Sequence, residues 1–203
     1  MLYELATLSF KLNTLQQALT AIEEYTNDAT AGRLLGCWET EHGVIVGKLL
    51  LLRSFDDTRM LELERKRLLS SSNPFGVGEH LEAFRAESYA PFLFLPQIEP
   101  GSYGSVYEFR TYHLKTGGLM PTIAGWEAAV PERIKLHPLT TAMYGLDGIP
   151  RITHIWPFPD LNERLAIRRR AAQQGIWPPK NGPENIAHAT STIAIPTRIS
   201  PLA

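Results

Sequence analysis

One strand-like segment is written twice in this chain, and that repeat limits the fold more than any single motif does. LYELATLSFK begins at Leu2 and VYEFRTYHLK at Val106, an offset of 104. At that offset Tyr3 matches Tyr107, Glu4 matches Glu108, Thr7 matches Thr111 and Lys11 matches Lys115; Leu15 then meets Leu119 and Glu23 meets Glu127. From RSFDD and WPFPD onward the offset is 103, pairing Phe55 with Phe158, Asp57 with Asp160, and Lys66 and Arg67 with Arg169 and Arg170. One residue lost in a loop accounts for the slip. Agreement sustained through several elements marks two related halves, 1–102 and 103–203. They meet around QIEPGSYGS, where Pro100, Gly101 and Gly104 suit a linker.

The second half is the easier to read. Val106 to Leu114 is rich in aromatic and β-branched residues and predicts a strand. Leu119, Ile123, Trp126 and Val130 recur at helical spacing, with Pro131 expected to kink or end that helix. Thr140 to Leu146 and Arg151 to Trp156 predict two strands around the turn DGIP. Asp160 to Gln174 predicts a second helix, with Asp160 as N-cap, Glu163 at capping-box spacing, and Leu161 and Leu165 on one face. A last strand is expected near Ser191 to Thr197. In the first half we expect a helix from Glu79 to Tyr89 and a closing strand at PFLFLPQ.

The resulting order, β-α-β-β-α-β, is the split βαβ arrangement of ferredoxin-like domains, so the class is α+β. Two helices cover one sheet face and leave the other bare. Val106, Tyr112, Ile152 and Trp156 make the bare face too apolar to stay wet, so two such sheets should pack against each other. A tandem chain does this internally, avoiding the association cost of about 4–15 kcal/mol.

Composition removes several classes. The 203 residues include 20 basic and 21 acidic side chains, so no global field favours nucleic acid or an anionic membrane. Cys37 is the single cysteine, which excludes an intrachain disulfide and a cysteine-cluster zinc site. The longest apolar runs, GVIVGKLLLL and APFLFLP, are too short to span a bilayer. We expect no cofactor, no nucleic-acid or membrane partner, and a cytoplasmic protein that binds a small molecule and forms a homo-oligomer. GVGEHL at Gly76 lacks the third glycine of a dinucleotide loop and follows no clear strand.

YEFRTYHLKTGGL, HPL and ITHIWPFPDLNERLAIR resemble the NIPSNAP family, whose members share a Y-E-x-R-x-Y-x-L strand and an H-x-W-P-[FY] strand end. YELATLSFK, LLGCWETEHG and RSFDD form a fainter first copy, so the resemblance spans nearly the whole chain. It implies two tandem domains whose sheets face each other as an intrachain dimeric α+β barrel. About activity it implies little. Some family members are mitochondrial or vesicle-associated in animals; with no transit-peptide pattern here, a bacterial cytoplasmic relative is expected.

Strand alternation groups Glu108, Arg110 and Tyr112 on one face, opposite Tyr107, Phe109, Thr111 and His113. His154 and Trp156 share a face of a later strand. The expectation is that these five meet in the barrel lumen, with Trp38 or Glu41 of the first half as a wall. Arg110 and His154 are the candidate catalytic residues; Glu108, Tyr112, Trp156 and Trp38 are candidate ligand contacts. An arginine in such a space clamps a carboxylate or enolate, a histidine moves a proton, and aromatic side chains supply flat walls. Related barrels include cofactor-independent oxygenases and isomerases.

A plainer reading has Glu108 and Arg110 as a structural ion pair, His154 and Trp156 as core, and a packed lumen in a non-catalytic interaction protein. The comparison of halves favours a site in the second. Ala6, Leu8, Leu50 or Leu51, and Leu52 or Arg53 stand where Arg110, Tyr112, His154 and Trp156 are. Glu184 and His188 would share a helix face without making a metal site; His154 or His188 would be the axial ligand if haem were bound. ERKR and RLAIRRR are read as solvated outer faces of the second helices.

Overall fold

Residues 3 to 10 alternate between two different interiors, and this decides the architecture. Tyr3 and Leu5 enter one apolar cluster with Trp38, Leu50, Leu52 and Phe109, while Ala6, Leu8 and Phe10 enter another with Leu19 and Ile22. The first cluster is the inside of a barrel and the second lies between sheet and helix. The computed structural model describes every residue, Met1 to Ala203.

Eight strands and four helices follow in order: β1 (Leu2–Phe10), α1 (Leu15–Thr26), β2 (Arg33–Gly43), β3 (Leu49–Phe55), α2 (Thr58–Ser70) and β4 (Leu81–Pro91), then β5 (Val106–Leu114), α3 (Leu119–Ile134), β6 (Thr141–Gly145), β7 (Arg151–Phe158), α4 (Leu161–Gln173) and β8 (Ile186–Pro196). The strands close in the order β1-β3-β2-β8-β5-β7-β6-β4, with every pairing antiparallel. Four consecutive strands of that ring come from each half. The two sheets face each other across the lumen and are joined by β2 with β8 and β4 with β6. The β4–β6 seam is short, pairing Tyr89 with Gly145, Ala90 with Tyr144 and Pro91 with Met143. Closure leaves no free sheet edge.

The matching halves share their local signals. Asp57 accepts from the amide of Met60 at the start of α2, and Asp160 accepts from Asn162 and Glu163 at the start of α4. Each cap satisfies amides that the first helical turn cannot pair internally. Leu161 and Leu165 of α4 are largely exposed rather than forming its packed face.

Four expectations need correction. Residues 79–89 are not helical: Leu81–Pro91 is β4, paired with β1. Its Glu and Ala content favours helix locally, but pairing along the strand outweighs that weak preference. PFLFLPQ is therefore not a strand. Only its Pro91 belongs to β4; Phe92 is buried edge-on against Trp126, and Pro96 lacks the amide a ladder needs. Helix α3 continues past Pro131 to Ile134, so that Arg133 is buried over the Trp156 ring at 4.3 Å. Glu184 and His188 share no helix face either: Glu184 sits in a single 3-10 turn and His188 on β8.

Candidate functional site

The register of β5 and β7 brings the sequence candidates together. Arg110 lies opposite His154 and Glu108 opposite Trp156, with Tyr112 opposite Ile152. Alternation puts these side chains on one face, as expected, but it is the outer face, beneath α3 and α4. The lumen side of β5 carries Tyr107 and Phe109 instead. The site is thus a sheet–helix cavity and not the lumen. Trp38 is separated from it: its indole lies inside the barrel, 5.3 Å from Tyr107 and 5.0 Å from Phe109 between ring centroids. Nor is the lumen packed shut. Trp38 and Tyr107 fill one end, and the other holds a cavity of about 370 Å³.

A cavity of about 240 Å³ is lined by all five clustered candidates together with Arg133, Phe158, Arg168 and Trp177. A neighbouring one of about 170 Å³ shares Arg110, Tyr112, Trp177 and Pro178 as walls. Helix α3 contributes Trp126 and Arg133, and α4 contributes Arg164 and Arg168. The segment after α4 folds Trp177 edge-on against Trp126, with ring centroids 4.7 Å apart.

Glu108 is fully buried and accepts from Arg164 at 2.6 Å, Ser191 at 2.8 Å, Arg110 at 3.0 Å and Arg168 at 3.3 Å. Burial alone would raise its pKa; the Arg164 hydrogen bond and the charges of Arg168 and Arg110 outweigh it and bring it down to about 2. Glu108 is therefore an ionised anchor with its oxygens engaged. It is no base. Arg110 also donates from Nε to the Tyr112 hydroxyl at 3.0 Å, which leaves that hydroxyl its own proton to donate.

Arg133 is the fourth cation and the one left over. It is 3% exposed, its Nε and Nη1 have no partner, and it touches the face of Trp156. Burial, aided by repulsion from Arg168, lowers its pKa to about 10, so it stays charged at neutral pH. Four guanidinium groups cluster about one carboxylate, an excess of positive charge, with Arg164 and Arg168 partly exposed at the edge of the cavity.

His154 is 1% exposed. Its Nδ1 accepts the indole N–H of Trp156 at 2.7 Å. Since tryptophan only donates, Nδ1 is bare and a neutral His154 carries its proton on Nε2. Burial, then the charge of Arg110, hold its pKa well below the ordinary 6.5. The Nε2–H has no partner within the protein. A neutral His154 thus presents an N–H to the cavity.

The first half shows what a closed version looks like. Ladder register equates Ala6 and Leu51 with Arg110 and His154, and Glu4 and Arg53 with Glu108 and Trp156. Arg53 bonds Glu4, Glu64 at 2.7 Å and the Ala31 carbonyl at 2.6 Å, while Arg65 holds Glu4 at 2.8 Å and Arg67 holds Glu64 at 2.7 Å. Although Arg53 Nε is unpartnered, both its terminal nitrogens are engaged. With Asp28, which Arg67 also holds at 3.0 Å, three carboxylates balance that network's three arginines. The second half has one.

Arg133, Arg164, Arg168, Trp126 and Trp177 were not among the sequence candidates. The spacing of Trp126, Val130 and Arg133 on one buried face of α3 carried a usable signal. Arg164 and Arg168, one turn apart, reach inward from a run read as a solvated face. His188 pairs with His113 across β5 and β8, away from His154. No group of three or more His, Cys, Asp or Glu is placed to hold a metal ion, and no helix is long and apolar enough to cross a membrane.

Comparisons with known proteins bear on the same regions. The sequence matches the family model described as NIPSNAP over residues 3–75 and 107–201. It is 28% identical over 178 residues to Protein NipSnap homolog of Dictyostelium discoideum, covering 86% of this chain and 77% of that protein. Among solved structures, a monooxygenase-like protein of Lactobacillus acidophilus NCFM superposes with a TM-score of 0.69 at 10% identity, covering 96% of this chain and 93% of the other. An anthrone oxidase-like protein does so with 0.60 at 15% identity, covering 97% and 91%. At these identities the likeness is one of fold.

Proposed function

This chain belongs to the NIPSNAP family, and we propose that it binds a small anionic ring compound, a carboxylate, phenolate or enolate, in the outer cavity of its second half. One observation carries the proposal: the buried guanidinium of Arg133 has unpartnered nitrogens beside a cavity that already holds more cations than anions. An unpaired buried charge is costly, and an anionic ligand supplies the missing partner. The wall offers donors: Arg133 N–H, His154 Nε2–H and the Tyr112 O–H. The rings of Trp156, Trp126 and Trp177 suit a flat ligand.

The chemistry this arrangement supports is stabilisation of an anion. Donors aimed at developing negative charge in a cavity walled by tryptophan rings favour enolate or phenolate over the neutral acid. Glu108 is engaged by three arginines, and His154 has no free lone pair, so the proton is lost to solvent rather than to a side chain. Oxygenase- and isomerase-type reactions share such an anion. Structural neighbours described as monooxygenase-like and anthrone oxidase-like agree with that class. If copies of the chain associate, the closed barrel directs them to meet through helices or loops rather than sheet edges.

Titration with benzoate, salicylate and 4-hydroxybenzoate, followed by calorimetry and by tryptophan fluorescence, tests the proposal. Binding is expected in the wild type and lost in Arg133→Met. Absence of binding across the panel, or unchanged affinity in Arg133→Met, overturns it.

A further inference from the structure

The barrel's own interior is a second, chemically different cavity. Up β5 from the closed end, the lumen side presents Tyr107, Phe109, Thr111 and His113; the last three line the cavity of about 370 Å³. Its floor is apolar, made by Leu5, Leu50 and Phe109, each nearly buried. Its rim is charged but balanced: Arg151 pairs with Asp147 at 2.7 Å and with Glu87 at 3.1 Å, and Arg85 pairs with Glu87 at 3.2 Å. The rim has no excess of either sign, in contrast to the outer site.

Between floor and rim runs a chain of three hydroxyls. Thr111 and Thr153 are 2.9 Å apart, and Thr153 and Tyr89 are 3.1 Å apart. The Tyr89 oxygen also accepts from Arg151 Nε at 3.0 Å. Three hydroxyl protons share two links, so one proton is left without an acceptor inside the chain. Thr153 donates to Tyr89, so Thr111 donates to Thr153 and the surplus proton is the one on the Tyr89 hydroxyl, which lines the cavity. Thr7 and Thr192 add two more hydroxyls to the wall.

We propose that the lumen is a second binding site, separate from the outer one, for an uncharged compound with a carbonyl oxygen and a compact apolar body. The oxygen accepts the surplus hydroxyl proton, and the body rests on Leu5, Leu50 and Phe109. A carboxylate is disfavoured because the arginines at the rim are already matched by Glu87 and Asp147. The site's existence does not depend on what the outer cavity binds.

The four tryptophans divide between the two sites, which makes the test direct. Trp38 lies in the lumen, edge-on to the floor residue Phe109, while Trp126, Trp156 and Trp177 surround the outer cavity. The full chain labelled with 5-fluorotryptophan is titrated with cyclohexanone and, separately, with benzoate, and fluorine NMR is recorded; Trp38→Phe assigns the lumen signal. Cyclohexanone is expected to shift the Trp38 signal saturably, with affinity about tenfold weaker in Tyr89→Phe, whose melting temperature serves as the folding control. Thr153→Val, which removes the donor that orients the Tyr89 hydroxyl, should weaken it by a smaller factor. If Trp38 does not move, the lumen holds solvent only and the proposal fails. It fails equally if only the outer tryptophans move, or if Tyr89→Phe binds like the wild type. Failure of benzoate to bind would strike the outer site alone.

Discussion

Trp156 donates its indole N–H to Nδ1 of His154 across 2.7 Å, and this bond leaves the neutral histidine's other nitrogen protonated. The two side chains are two residues apart on β7, on one face of the strand. Their pairing turns a titratable group into a donor of fixed polarity.

The first prediction is a pH slope. The folded protein holds His154 neutral well below 6.5, whereas the unfolded chain takes up a proton near that value. The unfolded state then binds more protons, so stability falls as pH drops below about 6.5, by up to about 1.4 kcal/mol per unit. Denaturant unfolding at intervals between pH 7 and pH 5 should show a shallower fall in His154→Gln. Nitrogen NMR of the imidazole should find the Nε2–H form at neutral pH; a proton on Nδ1 would refute the donor assignment.

Glu108 has the opposite chemistry but the same direction. Its pKa is lowered from 4.5 to about 2, so its stabilisation is present in full above about 4.5 and is lost as pH falls toward 2. The shift corresponds to about 3 kcal/mol. Glu108→Gln, which leaves the surrounding arginines without their anion, should lose at least that much in an unfolding experiment at pH 7. A loss below about 1 kcal/mol would show that solvent already screens the cluster.

Arg133 should separate stability from binding. Replacing this unpartnered buried cation by methionine removes a desolvation cost and sacrifices one contact with the Trp156 ring. The net expectation is a protein more stable by roughly 1 kcal/mol or more. Its affinity for benzoate should be lost. Calorimetric melting beside a binding titration checks both; a destabilised variant would mean that Arg133 is structurally satisfied.

Trp38 tests the division between inside and outside. Full truncation of a buried tryptophan costs about 3–5 kcal/mol. The milder Trp38→Phe should lose part of that and leave benzoate affinity at the wild-type value. A clear loss of affinity would place the anion in the lumen after all.

Much of the fold was legible because the chain states its pattern twice. Aspartates cap both second helices, and Tyr, Glu and Thr recur on β1 and β5. The exception is instructive. LEAFRAESYAP in β4 has a helical composition and becomes a strand because β1 and β6 pair with it. The candidate site was legible in part. Alternation correctly grouped Glu108, Arg110 and Tyr112, and separately His154 and Trp156, yet placed both groups on the wrong side of the sheet. Period two defines which residues share a face without saying which face is which. The usual cue is a polar exposed side, and β7 has none, being buried at all eight positions.

By itself the sequence determined that there are two related halves, that each follows a β-α-β-β-α-β plan, and that only the second places an arginine and a histidine where the first has Ala6 and Leu50 or Leu51. Local periodicity, caps and repetition suffice for those statements because each depends on neighbours along the chain. Only the tertiary structure decided that the arginine cluster lies under the helices and that Trp38 stands apart in the lumen. Arg110 from β5, Arg133 from α3, and Arg164 and Arg168 from α4 converge on one cavity through packing of elements distant in sequence. The excess of cations over anions is a property of that convergence, and no single segment carries it.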